Sequence, residues 1–285
     1  MAKYLIINAD DFGYNKQQNE AITDLLRRGC LPSVSVMTVA PRADECGVLA
    51  PFPASVGVHL TINSDSAREK WHSLTGSASL GGAEGLPAKQ SELTVHAKHK
   101  DVAAELEAQY RFLTDRGVTP DHADNHCGTL YGVNGRRFYM DAFEFCRKYS
   151  LPFRFPKTAG FLERQVGRTL PSVVKAVQGA IVRQGEKRGV EMPDDLVSNP
   201  WSMERIKDYD TLRKYYMDAV DACINGVTEI FMHPAFPVDD TPGEWSKRVF
   251  EYELLRSGDL LQRAKEKDVQ VVTWKIFKEI SEAKK

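Results

Sequence analysis

Eight short runs of strand-type residues recur along this chain, and helical patterns fill most of the intervals between them. The runs are YLIIN (4–8), SVSVM (33–37), SVGVHL (55–60), DHADNH (121–126), PFRF (152–155), DLVS (195–198), TEIFMH (228–233) and VQVVTW (269–274). After the first, NKQQNEAITDLLRRG places Ile22, Leu25 and Leu26 on one helical face and stops at Gly29, a residue suited to a helix C-terminus. KDVAAELEAQYRFLTDRG repeats the pattern with Leu106, Tyr110 and Leu113 ahead of Gly117. RRFYMDAFEFCRKY, LRKYYMDAVDACIN and the stretch around FEYELLRS behave alike. Regular β–α alternation argues for parallel strands with helices packed outside them. Eight strand signals in 285 residues favour a distorted parallel β/α barrel of seven or eight strands, with a doubly wound sheet as the alternative.

A single domain over 1–285 is expected, because no internal repeat and no low-complexity linker divides the chain. One long segment, from Thr61 to about Val95, breaks the rhythm: it is rich in Ser, Gly and Ala and has no helical period. Long loops in compact domains are usually functional. The stretch 156–194 is also irregular, with a helix expected near 171–188. Both are read as elements that cover a substrate.

Composition excludes several classes. A net charge of −1 gives no basic field for nucleic acid or an anionic membrane, and no apolar run is long enough to span a bilayer. The start, MAKYLIINAD, lacks the pattern of a secretory signal, so a cytoplasmic protein is expected. The five cysteines (Cys30, Cys46, Cys127, Cys146, Cys223) are scattered with no CxxC pair, which suggests neither a zinc knuckle nor a disulfide framework. A homodimer is allowed but not indicated.

The unusual polar residues fall at carboxyl ends of the expected strands. Asp10 and Asp11 follow the first strand, His59 ends SVGVH, His126 ends DHADNH, and His233 ends TEIFMH just before Pro234. Taken singly, each has an ordinary reading: the acids as a solvated turn or helix cap, the histidines as satisfied core groups. Jointly they point to one face, since strand ends of a β/α barrel converge where active sites form. The residue types suit one task. One carboxylate and two imidazoles can hold a divalent metal with open positions, and metal coordination lowers the pKa of bound water to about 7. A second carboxylate remains to accept a proton, and a third histidine to donate one. His122 and Asp124, on the strand face of His126, are read as supports behind these groups.

In order along nearly the whole chain, NADDFG, VGVHL, DHADNH and EIFMHP resemble the YdjC-like, or ChbG-type, carbohydrate deacetylase family. The resemblance implies a barrel similar to that of polysaccharide deacetylases. It also implies a metal-dependent hydrolase that removes acetyl groups from N-acetylated sugars. By position, Asp10 matches the family's catalytic base and Asp11 its metal-binding acid. His59 and His126 match the metal-binding histidines, His233 the acid that protonates the leaving amine, and Arg154 an arginine near the sugar. Two departures, Cys127–Gly128 after His126 and Ala235 after Pro234, touch the rim of such a site. One divalent ion is expected, magnesium or zinc foremost, with manganese and cobalt also tolerated by this donor set. A sharp turn at Phe12–Gly13 would let both acids face the mouth, and a bound cation would offset their repulsion. The expected substrate is a small N-acetyl sugar, a mono- or disaccharide with or without phosphate. The alternatives are a metal-dependent sugar isomerase or phosphoesterase on the same barrel, or a sugar- or metal-binding barrel without catalysis.

Overall fold

The computed structural model describes residues 2–132, 134–239 and 243–282. Seven parallel strands form one curled sheet: β1 (Lys3–Phe12), β2 (Ser33–Val36), β3 (Ser55–Leu60), β4 (His122–Asn125), β5 (Asp195–Val197), β6 (Gly226–Met232) and β7 (Val269–Val271). The order across the sheet is β4-β3-β2-β1-β6-β5, with β7 paired to β1. β1 is central. β6 occupies one of its edges from Lys3 to Ala9, while β7 takes Lys3–Leu5 and β2 takes Asn8 onward along the other.

The run PFRF is not an eighth strand. Pro152 has no N–H to give a ladder, and only one bridge forms, between Phe153 and Ala123. The segment still spans the gap beside β4. The Arg154 amide donates to Ala123 O at 2.9 Å, and the Phe153 amide donates to Glu191 O at 2.8 Å, just ahead of β5. The curl is thus continued toward β5 by irregular backbone. The segment 61–95 contains two short 3₁₀ turns and a helix, Gln90–His96. That helix buries only Leu93, too little to leave a period in the sequence.

The two faces of the sheet differ in chemistry because side chains alternate along a strand. Leu5, Ile7 and Ala9 of β1, Val34 and Val36 of β2, and Val56, Val58 and Leu60 of β3 join the main apolar core with helical residues such as Ile22, Leu25, Val102 and Leu106. Full burial of each large side chain contributes roughly 1.5–3 kcal/mol. The opposite, inner face carries Asn8, Asp10, Ser33, Ser35, His59, Asp124 and Glu229, all buried. At the amino-terminal end of the strands a small apolar cluster of Ile6, Val227, Val272, Trp274 and Phe277 closes this polar interior. His122, the first residue of β4, stacks on Trp274 with ring centroids 4.8 Å apart. It therefore lies deep in the interior as a packing group, with Nδ1 2.7 Å from Asp121 Oδ1.

The first strand departs from regularity where the acids lie. Asp10 and Asp11 sit inside β1, not after it. Between Ala9 and Phe12 β1 takes three steps while β2, from Val34 to Val36, takes two. Asp11 is the extra residue, with φ at +65°. This β-bulge, and not the Phe12–Gly13 turn, lets neighbouring carboxylates face the same mouth. Asp is among the few non-glycine residues that enter the left-handed region at modest cost.

His122 packs so closely that a Cβ at Gly57 would lie 2.3 Å from its Nε2. Gly57→Ala is therefore expected to destabilise the protein by about 1–3 kcal/mol through overpacking, and adding His122→Ala should recover part of that loss. Urea unfolding of the two single variants and the double variant checks this; additive losses would show that the contact does not limit the strand.

Candidate active site

Burial of carboxylates on the inner face depends on one cation. Arg154 is 1% exposed and lies among Asp10, Asp124 and Glu229. Its Nη1 donates to Asp10 Oδ2 at 2.6 Å and its Nη2 to Asp10 Oδ1 at 2.8 Å. Nε and Nη2 reach Glu229 Oε1 at 3.0 and 2.7 Å, and Nη2 lies 2.9 Å from Asp124 Oδ2. A planar guanidinium can serve two carboxylates at once in this way, which an ammonium cannot. Arg154, expected near the sugar, does line the cavity, and its N–H groups are also directed at the acids. Burial lifts the Glu229 carboxyl to about 7 even against the pull of Arg154, because Asp10 and Asp124 crowd it. Burial would raise Asp124 too, but Arg154 and His59 hold it far below the usual carboxylate range.

Asp124 in turn orients His59, whose Nδ1 lies 2.8 Å from Asp124 Oδ1. The other ring nitrogen, Nε2, faces Asp11 Oδ1 at 3.2 Å. His126 repeats the arrangement from the end of β4: Nε2 lies 2.6 Å from Asp65 Oδ1, and Nδ1 faces Asp11 Oδ1 at 3.6 Å. Each imidazole thus has one nitrogen tied to a carboxylate and the other turned to a common point, the usual preparation of metal-binding histidines. Asp11 Oδ1 is buried without a hydrogen-bond partner, and Asp11, His59 and His126 offer ligand atoms within 4.8 Å of one another. These donors fit a divalent cation. Burial works against a charged His59, yet the carboxylates of Asp124 and Asp11 hold its pKa up at about 10. That negative field is the one a bound cation would answer.

Asp10 has partners of its own, and with His59 and Asp124 it forms a neighbouring group of donors within 4.8 Å of one another. Asn8 Nδ2 donates to its Oδ1 at 2.9 Å, beside the Arg154 fork. His233, following β6, places Nε2 3.9 Å from Asp10 Oδ2. Its backbone amide is fixed by Glu251 Oε2 at 2.7 Å. Burial lowers the His233 pKa, outweighing Asp11 and Asp10, with Arg248 acting in the same downward direction.

All five residues singled out at strand ends, Asp10, Asp11, His59, His126 and His233, line one cavity of about 550 Å³. Its walls include Asp65, Tyr131, Phe161, Gln165 and Phe231. A pocket of this size and mixed lining suits a small polar ligand. Asp65 comes from the long 61–95 segment, which is also held to the mouth by Gln90 Nε2 on Cys127 O at 2.9 Å and by Trp71 against the His126 ring at 5.5 Å. Phe161 and Gln165 come from the helix Gly160–Val166, so both irregular stretches reach the cavity.

Sequence reasoning missed Glu229, Asp65 and Arg248. Glu229 was within reach, since it shares a strand face with His233. Asp65 lies in non-periodic sequence. Arg248, on the helix Trp245–Ser257, extends to Asp11 Oδ2 at 3.3 Å and Gln18 Oε1 at 3.0 Å, a contact between distant segments with no local signal.

Known proteins resemble this chain over nearly its whole length. A carbohydrate deacetylase from Thermoanaerobacter pseudethanolicus is 26% identical over 285 residues, covering 97% of this chain and 100% of that protein. A chitooligosaccharide deacetylase from Proteus mirabilis is 26% identical over 96% of this chain and 98% of its own length. A crystal structure of an Enterococcus faecalis V583 protein, provisionally described there as a cellobiose-phosphate cleavage protein, superposes with a TM-score of 0.73 at 25% identity, covering 96% of this chain and 98% of that one. Residues 4–266 match the family described as YdjC-like protein, so the chain belongs to the YdjC-like family.

Proposed function

We propose that this protein is a metal-dependent hydrolase that removes the acetyl group from a small N-acetylated sugar. The observation that carries this reading is the separation of roles around one cavity. Asp11, His59 and His126 form one candidate donor set for a cation, while the Asp10 carboxylate is engaged by the Arg154 fork. The deacetylase names of the relatives support the same chemistry.

A divalent ion bound by Asp11, His59 and His126, magnesium or zinc foremost, would supply Lewis acidity toward a carbonyl and lower the pKa of water. The chain's own residues do the rest. Asp10, its carboxylate oriented by Asn8 and Arg154, accepts the proton of the attacking water. His233 Nε2 delivers a proton to the departing nitrogen, so that the C–N bond breaks to free acetate and an amine. The 3.9 Å between His233 Nε2 and Asp10 Oδ2 is beyond direct hydrogen-bond reach, so the proton taken by Asp10 passes to His233 through one bridging water. The depressed pKa of His233 is then no obstacle, because the residue need not be charged in the resting enzyme. Arg154 acts as a positioning residue for Asp10. The 61–95 segment, through Asp65, narrows the opening and favours a short substrate. Among described residues no helix is long and apolar enough to cross a membrane.

Chelation should abolish turnover and added metal should restore it; full activity in rigorously metal-free protein would overturn the reading. Asp10→Asn should keep the metal and lose on the order of 10²–10⁴-fold in kcat, as read by acetate release alongside metal analysis. Normal turnover of that variant would remove Asp10 from the base role. His233→Ala should also keep the metal, and should slow poor leaving groups more than good ones. Arg154→Met leaves three carboxylates buried together and is expected to cost about 3–5 kcal/mol of stability; pairing it with Glu229→Gln should return part of that in urea unfolding. Among N-acetylglucosamine oligomers, assayed with and without phosphate, rates should peak at one or two rings. A rate rising steadily into the polymer range would mean that the 61–95 segment does not limit the pocket.

A further inference from the structure

Beside the inner donor set lies a second one. Asp65 Oδ1, His126 Nε2 and Cys127 Sγ are mutual neighbours: 2.6 Å from carboxylate to imidazole, 3.3 Å from thiol to imidazole and 3.9 Å from thiol to carboxylate. All three line the cavity, with Asp65 and Cys127 exposed and His126 buried. Cys127 has φ at +52°, a left-handed conformation, and its thiol lies against the ring of the preceding residue. Ligands around tetrahedral zinc, bound at 2.0–2.3 Å, stand about 3.3–3.6 Å apart. The observed spacings differ from that by less than an ångström. Thiolate, imidazole and carboxylate together select a thiophilic ion, whereas magnesium avoids sulfur.

We infer that Asp65, His126 and Cys127 form an outer site for a thiophilic divalent ion such as zinc, and that its occupation silences the inner site by claiming His126. The exclusion, unlike the outer site itself, rests on the reading of Asp11, His59 and His126 given above. A neutral imidazole has one lone pair. With zinc on Nε2, the ring proton moves to Nδ1 and points at Asp11 Oδ1, 3.6 Å away, so His126 can no longer ligate an ion there. Zinc binding also releases the Cys127 thiol proton to solvent. The result is inhibition by excess zinc but not by magnesium.

Cobalt(II) titration of metal-free protein tests the outer site without any activity measurement. A near-ultraviolet thiolate-to-cobalt charge-transfer band is expected in the unmodified protein and in His59→Ala, which lacks an inner ligand. It should be absent in Cys127→Ser and at least 10-fold weaker in apparent affinity in Asp65→Asn. Lack of the band in the unmodified protein and in His59→Ala, or its survival in Cys127→Ser, would overturn the outer site. In acetate-release assays, Cys127→Ser should retain turnover and require at least 10-fold more zinc for inhibition. Equal zinc sensitivity of Cys127→Ser and the unmodified enzyme, with the cobalt band present, would overturn the exclusion alone. Failure of the deacetylase reading would appear separately, as the absence of acetate release from every sugar while the cobalt band remained.

Discussion

Three carboxylates share the interior of this barrel, and the guanidinium of Arg154 is what makes their burial tolerable. Asp10, Asp124 and Glu229 are each 2% exposed or less, and unpaired charges in such surroundings would be prohibitively costly. The cation sits on a segment that runs beside β4, where Pro152 denies any regular ladder, yet its backbone amide still bonds Ala123. An irregular segment therefore supplies the one residue that the polar interior requires. From Arg154 the order propagates outward: Asp124 is held for His59, Asp10 is held in the guanidinium fork, and the mouth inherits its geometry from below.

The division between the two adjacent acids is a matter of backbone. In a regular strand Asp10 and Asp11 would point to opposite faces, and one would enter the apolar layer beneath the helices. The bulge turns Asp11 upward instead, and the segment after it is fixed on both sides. Gly13 N donates to Asn19 Oδ1 at 2.6 Å, and Asn15 caps the following helix by accepting from Gln18 N at 2.9 Å. Strain at Asp11 is thus confined to one residue flanked by well-bonded chain, as expected where a functional group must be aimed.

Much of this was legible in the sequence. Seven of the eight strand runs are strands, because β-branched runs separated by helical periods leave few other arrangements. The eighth, PFRF, shows the limit: its composition is strand-like, but Pro152 denies it a ladder. Residues at strand ends were readable because barrel geometry converts position along a strand into position at the mouth. Arg154 was seen, but its grip on three buried carboxylates was not, since nothing in PFRF tells which acids the fold will bring to it. Arg248 and Asp65 were invisible, because a long-range ion pair leaves no mark on local periodicity. The bulge was also hidden: Asp-Asp-Phe-Gly signals a break in the strand but not that pairing resumes at Phe12.

The apolar seal around Trp274 has a consequence for how the chain is made. β1 is made before the other described strands, yet its neighbours β6 and β7 come after β2 to β5. Until the helix Trp274–Glu282 emerges, the amino-terminal end of the barrel has no lid and water can reach Arg154 and its carboxylates from below. A nascent chain lacking those residues keeps its inner charges hydrated, with little to gain from bringing them together. Tight assembly of the interior is thereby deferred until that helix has been made, and the hinge of the whole process is one indole ring laid flat against His122.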